Sequence, residues 1–283
     1  MATVEQRIGR VNSGDVSLFY RAFGAPGRTP LVILHGSNYY DSYDWIGVAS
    51  KLATDREVLT PERRGWGEST WSPSKDYTRD ALTDDLRAVI AVMKWTTKPI
   101  IMGHSGAGPT VIAFAVNYPN ELAKLVLIDS QMNRDEDAVA GPTVGNPPLV
   151  FPSIEAAMAN FAKLNNPPRL AHDRERATHA LIKTEAGYML KRDPDNGNKK
   201  PIGVAAQPPK FPLREMWAEL GMVKVPTLLV RGLRSDRFPP ETVARFTKEY
   251  PHIPQETVDS QHDVPGQAPD AFVAHVRKYV GEA

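Results

Sequence analysis

Short apolar runs and longer amphipathic stretches take turns along the chain, the pattern that a parallel sheet with crossover helices requires. Residues 4–11 and 16–23 read as an antiparallel hairpin around Asn12-Ser13-Gly14-Asp15, and residues 31–34 as the next strand. Residues 45–53 suit a short helix and 57–60 a strand. From Thr78, a helix-capping residue type, Leu82, Leu86, Val89, Ile90 and Met93 recur at spacings of three and four, which places one apolar face against the sheet. Residues 99–102 form a strand that turns at Ser105 into a helix, and that helix stops near Asn117-Tyr118-Pro119 because proline cannot continue it. Strands at 125–128, 227–230 and 256–258 complete the expected α/β class: a mostly parallel eight-stranded sheet flanked by helices.

Between the sixth and seventh of these strands the chain changes character. Residues 131–215 hold 11 of its 25 prolines, and helical spacing survives in two places. Ile154, Ala157, Met158 and Phe161 share a face in 153–164; 172–183 reads as a second, more polar helix and 191–200 as a polar loop. This is the signature of a helical cap inserted after the sixth strand. Residues 1–130 and 216–283 then form the core and 131–215 a cap (lid) lying over the strand ends, where open α/β sheets bind ligands.

Composition narrows the setting. With 283 residues, 41% of them hydrophobic, the chain can bury a large core. A net charge of +1 from 34 basic and 33 acidic residues provides no field favouring nucleic acid or an anionic membrane. The absence of cysteine excludes disulfides, thiol catalysis and Cys-ligated zinc. The first residues lack the apolar stretch of a signal peptide, and no run reaches the roughly 18 apolar residues of a membrane span. The expected setting is cytoplasmic, as a monomer or homodimer acting on a small molecule without nucleic-acid or membrane partners.

The chemistry concentrates at Ser105. Gly103, Gly106, Ala107 and Gly108 surround it, the small residues needed where a strand turns sharply into a helix and leaves a hydroxyl exposed. A serine hydroxyl becomes a useful nucleophile only with a base, an acid that orients the base and donors for an oxyanion. Asp236 follows the strand at 227–230, and His262 follows the last strand, so both fall in loops at strand carboxyl ends. Serine, acid and histidine thus occur in the order Ser105, Asp236, His262, which one hydrolase architecture requires.

Three motifs carry a resemblance to the α/β-hydrolase superfamily over nearly the whole chain. The elbow Gly103-His104-Ser105-Gly106-Ala107-Gly108 resembles Gly-x-Ser-x-Gly, with alanine in place of the second glycine. His35-Gly36-Ser37 resembles the superfamily's His-Gly oxyanion turn, and Pro61-Glu62-Arg63-Arg64-Gly65-Trp66-Gly67-Glu68-Ser69 its Pro-Asp-x-x-Gly-x-Gly-x-Ser turn, with glutamate for aspartate. The resemblance implies an α/β-hydrolase fold and an acyl-enzyme on Ser105, with His262 as base, Asp236 as orienting acid and the backbone N–H groups of Ser37 and Gly106 as oxyanion donors. It also implies an alternative acid, because some members carry theirs directly after the preceding strand, where Asp129 stands. The activity implied is cofactor-free hydrolysis of a carboxylic ester or lactone. The same triad also serves carbon-carbon bond hydrolysis of dienoic ketones and perhydrolysis, and some members of the fold are slow-turnover ligand receptors.

The remaining candidates are weighed residue by residue. Tyr39, Tyr40, Phe151, Phe161 and Tyr188 are candidates for the substrate pocket, the first two because they follow the oxyanion turn. His35 and His104 read as supports of their turns, and Asp259 and Asp263 as loop residues. His172 and His179, without a His-Glu-x-x-His spacing, read as a solvated helix face rather than metal ligands, and Arg174-Glu175-Arg176 as exposed helix. No metal or cofactor is expected.

Overall fold

A computed structural model describes residues 4–37, 41–130, 132, 150–162, 170–196 and 208–281. The chain opens with the hairpin β1 (Gln6–Ser13) and β2 (Val16–Phe23). Its two-residue turn is possible because Gly14 accepts a φ of +55°. Then come β3 (Leu31–Leu34), a 3-10 turn (Ser42–Trp45), α1 (Ile46–Leu52), β4 (Val58–Pro61), α2 (Arg79–Val92), β5 (Ile100–His104), α3 (Gly108–Asn117) and β6 (Lys124–Ile128). Thr78 caps α2 as its residue type predicts, its hydroxyl accepting from the N–H of Ala81 at 3.3 Å. The cap then leaves the core, and its described part contains β7 (Val150–Phe151), α4 (Ile154–Ala162), α5 (Leu170–Ala180), β8 (Leu181–Thr184) and β9 (Gly187–Leu190). The core resumes with α6 (Met216–Leu220), β10 (Thr227–Gly232), α7 (Pro240–Glu249), β11 (Gln255–Val258), α8 (Val264–Gln267) and α9 (Pro269–Val280).

Eight strands form one sheet in the order β1-β2-β4-β3-β5-β6-β10-β11. The β1–β2 and β2–β4 pairs are antiparallel and the other pairs parallel. Because successive strand residues point to opposite faces, the central apolar runs feed two cores. Val32, Leu34, Leu59, Ile101, Leu125, Leu127 and Leu229 face one side, under Leu86 and Val89 of α2 and Val111, Ile112 and Phe114 of α3. Leu31, Ile33, Val58, Ile100, Met102, Val126, Ile128, Leu228 and Val230 face the other, under α1 and α9.

In the cap the two expected helices are present, but the second ends at Ala180, where the chain enters an antiparallel sheet in the order β7-β9-β8. Gly187 permits that sheet: its φ is +128°, and a side chain there would run into the carbonyl oxygen of Phe151. The loop after β9, described over residues 191–196, is anchored to the core. The N–H of Gly67 donates to the carbonyl of Lys191 and that of Asp193 to Gly65, both at 2.8 Å. Asp193, fully buried, also accepts from the Tyr77 hydroxyl at 2.5 Å.

Candidate active site

Ser105 follows directly on β5, and its φ of +51° marks the strain that a sharp strand-to-helix turn imposes on a non-glycine residue. The small neighbours are required by contact. A Cβ on Gly103 would come 2.5 Å from Val111, one on Gly108 would come 2.7 Å from Ser130 Cβ, and one on Gly106 would collide with the Ser37 hydroxyl. Ala107, the departure from the usual second glycine, is completely buried with an ordinary φ of −85°. The close approach to the next strand falls on Gly108 instead, so the alanine methyl fits.

His262 lies in the turn between β11 and α8, its side chain 16% exposed. Its Nε2 stands 2.7 Å from Ser105 Oγ and its Nδ1 2.5 Å from Asp129 Oδ2. Asp129 follows β6 immediately, is fully buried, and takes a φ of +43°. Its carboxylate accepts three hydrogen bonds: from the N–H of Gly232 at 3.0 Å on Oδ1, and on Oδ2 from the Ser235 hydroxyl at 2.5 Å and the His262 ring. The ring is seated from below by His104, whose Nε2 lies 3.1 Å from the His262 carbonyl and whose ring stacks on it at 5.0 Å. Burial, followed by the neighbouring His262, holds the His104 pKa down at about 4, so it supports the site as a neutral imidazole.

The carboxylate that meets the histidine is therefore that of Asp129, and the expectation for Asp236 is corrected. The Asp236 side chain is 76% exposed, and its Oδ1 lies 3.5 Å from Arg237 Nε. The physical reason lies in the turn after β10. Leu233 and Arg234 donate their N–H groups to the carbonyls of Val258 and Ser260 at 2.8 and 2.9 Å. This pairing prolongs contact with the neighbouring strand and carries residue 236 outward. What the turn delivers to the site is Ser235 and the Gly232 N–H, both as donors to Asp129. The sequence alone singles out neither, although a serine three residues past a strand-end glycine is the available signal.

The two expected oxyanion residues are adjacent: the Cβ position on Gly106 lies 3.6 Å from the backbone nitrogen of Ser37. Their turn is locked from the other side by His35, whose Nε2 accepts the N–H of Arg63 at 2.9 Å while Nδ1 lies 2.7 Å from the Gly36 carbonyl. Burial first, and Arg63 second, push the His35 pKa down to about 3. The Arg63 guanidinium lies 4.6 Å over Trp66 and 3.5 Å from the Ser37 hydroxyl. Among the pocket candidates, Tyr39 and Tyr40 lie outside the described residues. Phe151 and Phe161 are buried edge to face at 5.8 Å in the cap's own core, against which Tyr188 also packs.

Two polar expectations also change. Arg176 is buried, ion-paired with Asp44 and 3.7 Å from Asp263, so only its neighbours Arg174 and Glu175 are exposed as expected. His179 is 18% exposed and faces Asp41 at 3.3 Å rather than forming part of a solvated face. The side chain of His172 lies outside the described residues. Asp263 caps α8, accepting from the N–H of Gly266 at 3.2 Å, and Asp259 pairs with Arg234 at the surface.

A serine, a histidine and an aspartate joined at the carboxyl edge of a parallel sheet, with an insertion between β6 and β10, make the arrangement of a serine-type α/β hydrolase. The family model described as "Alpha/beta hydrolase family" matches residues 31–275, and the chain belongs to that family. It is 27% identical over 234 residues to a 2-hydroxy-6-oxononadienedioate/2-hydroxy-6-oxononatrienedioate hydrolase of Paraburkholderia phymatum, covering 80% of this chain and 77% of that one. Its fold is similar to that of E-2-(acetamidomethylene)succinate hydrolase, with a TM-score of 0.80, 21% identity, and 98% and 99% of the two chains covered. It is also similar to a novel esterase from Mycobacterium tuberculosis, with a TM-score of 0.73, 21% identity, and 98% and 91% covered. Among the described residues no helix is long and apolar enough to cross a membrane.

Proposed function

We propose that this hydrolase cleaves a carboxylic ester or lactone through an acyl-enzyme on Ser105, without a cofactor and in the cytoplasm. The observation that carries the reading is the continuous chain from Ser105 Oγ through the His262 ring to Asp129, with contacts of 2.7 and 2.5 Å. In this mechanism His262 Nε2 takes the serine proton as Oγ attacks the carbonyl carbon, and Asp129 holds the proton on Nδ1 and stabilises the imidazolium. The N–H groups of Ser37 and Gly106 receive the developing oxyanion. The imidazolium then protonates the leaving alcohol, and water repeats the sequence to release the acid.

A second reading is hydrolysis of a carbon-carbon bond in a dienoic ketone on the same residues. Its support is the name of the Paraburkholderia relative together with the extent of the match. The two readings separate on a panel of aryl esters of increasing acyl length, lactones and a dienoic ketone, run with wild type and Ser105→Ala. Turnover of esters or lactones, lost in Ser105→Ala together with fluorophosphonate labelling, is the expected result. Turnover confined to the dienoic ketone selects the second reading. Retention of most activity by Ser105→Ala, with no labelling of the wild type, refutes the assignment of the nucleophile.

A further inference from the structure

A second constellation lies on the seam between cap and core. Asp41 comes from the segment after the oxyanion turn, Glu62 from the turn after β4 and His179 from the last turn of α5. Each offers one ligand atom, and the three atoms lie within 4.8 Å of one another. We propose that Asp41, Glu62 and His179 bind one divalent transition-metal cation of the zinc type, which ties the cap helix α5 to the core.

The spacing suits such an ion. Zinc bonds to imidazole nitrogen and carboxylate oxygen of about 2.1 Å put tetrahedral ligands roughly 3.4 Å apart. Asp41 Oδ2 and His179 Nε2 already stand 3.3 Å apart, and the Glu62 oxygen lies within 4.8 Å of both. Three protein ligands leave a fourth position for water. The imidazole and the small ligand number favour a zinc-type ion over calcium, which takes six to eight oxygens.

One further observation points to a ligand. His179 Nε2 is closed off from solvent and faces Asp41 Oδ2 at 3.3 Å, an ion pair that falls short of good hydrogen-bond geometry. A nitrogen closed off from water and set against two carboxylates with only one long contact is poorly satisfied, and a cation between them satisfies both sides. The ligand oxygens of Asp41 and Glu62 also lie within 4.8 Å of each other, and a divalent ion between them removes their mutual repulsion.

The surroundings hold the ligands in place as supporting hydrogen bonds do at metal sites. Asp41 Oδ1 accepts the Tyr43 N–H at 2.8 Å, which leaves Oδ2 for the ion. Glu62 Oε1 accepts the Ser42 hydroxyl at 2.5 Å. The His179 ring stacks on Tyr43 at 4.1 Å with 16° between planes, and the Tyr43 hydroxyl donates to Glu175 on the same helix.

The test uses tag-free, chelator-stripped full-length protein titrated with Zn2+ against a chromophoric chelator, with Co2+ absorption reporting coordination. One equivalent should bind, and Co2+ should show the intense visible bands of a four-coordinate site. His179→Ala, whose folding is checked by circular dichroism, should weaken binding by more than the roughly hundredfold that bounds the loss of a mere supporting partner. His172→Ala, seven residues away on the same helix, should leave it unchanged. Zn2+ should also slow amide hydrogen exchange in residues 174–180 of the wild type. Absence of saturable binding, equal binding by His179→Ala, loss in His172→Ala instead, or unaltered exchange in α5 would each overturn the proposal.

Discussion

Replacing Asp129 with asparagine discriminates sharply between the two acids, because the surrounding donors dictate how the amide must sit. Oδ1 of Asp129 accepts the backbone N–H of Gly232 at 3.0 Å. In Asp129→Asn that N–H still needs an oxygen, so the amide oxygen stays on Gly232 and the NH2 group takes the place of Oδ2. There it points at His262 Nδ1, which the carboxylate met at 2.5 Å. A donor at that place holds Nδ1 unprotonated and moves the ring proton to Nε2, the atom that must receive the proton of Ser105. The opposite amide orientation restores the useful tautomer but sets NH2 against the Gly232 N–H, a buried clash of donors that costs about 1–3 kcal/mol. Stabilisation of the imidazolium by a full negative charge is lost in both orientations.

The expected fall in kcat therefore lies between about a hundredfold, if the amide flips, and about ten-thousandfold, the loss seen when the wrong tautomer is held in a serine protease triad. At 1.36 kcal/mol per decade this is roughly 3 to 5 kcal/mol of transition-state stabilisation. Asp236→Asn changes only an exposed side chain whose partner is Arg237, so the rate should stay within about twofold and the stability within about 0.5 kcal/mol. Steady-state hydrolysis of an aryl ester, backed by the rate of fluorophosphonate labelling, measures both variants, and thermal unfolding confirms that each is folded. A loss below tenfold in Asp129→Asn, or a larger loss in Asp236→Asn, would refute the reasoning.

Three further predictions rest on other contacts. Arg64 forms a buried two-pronged pair with Asp85 at 2.6 and 2.7 Å. Arg64→Met, which strands that carboxylate, should cost about 3–5 kcal/mol in urea unfolding, and adding Asp85→Leu should recover most of it; a fully additive double variant would contradict the pairing. Gly106→Ala drives a methyl into the Ser37 hydroxyl and should lower kcat about a hundredfold through a displaced donor pair. Ser37→Gly, which keeps the backbone N–H, should rescue that variant, and a lack of rescue would argue against the displacement. His104 has a folded pKa of about 4 against an ordinary 6.5, so between these values the unfolded chain binds the extra proton. Its contribution is complete above pH 6.5 and lost as the pH falls toward 4. The slope of unfolding free energy against pH near 5 should exceed that of His104→Gln by about 1.2 kcal/mol per pH unit, and coincident slopes would show that His104 is not held neutral.

The legible parts of this chain are those where residue type and period answer to one local requirement. Strands buried on both faces read as the apolar runs 31–34, 100–102 and 125–128, and Ser105 is visible because each small neighbour relieves a specific contact. The hairpin of β8 and β9 was not legible. Leu181–Lys183 continue the stretch at 172–183 that reads as helix, and they form a strand because β9 pairs with both β7 and β8 around Gly187, a tertiary reason. The polar seam was hidden for a related cause. His179, Arg176 and Asp193 look like solvated charges in a linear reading, and Arg176 and Asp193 become buried, and His179 largely covered, only when α5 and the chain after β9 settle on the turns at 41–45 and 62–68.

The choice between Asp236 and the alternative Asp129 stays open in a linear reading for a different reason: chain order cannot decide it. Ser105, Asp129, His262 and Ser105, Asp236, His262 both run serine, acid, histidine, and both aspartates follow a strand of the same parallel sheet. What decides is how far past its strand each residue lies. Asp129 is the first residue after β6, where a left-handed backbone, which aspartate tolerates better than most side chains, turns its carboxylate across the strand end. Asp236 stands four residues beyond β10, in a turn whose N–H groups are already bound to the neighbouring segment. Ser235, one residue nearer, points inward and gives Asp129 a donor. The two strand ends thus act together on one carboxylate, since β6 supplies the charge while β10 supplies the N–H and hydroxyl that fix it. That division makes the Ser235 hydroxyl and the Gly232 N–H part of the acid's geometry, although neither touches a reacting atom.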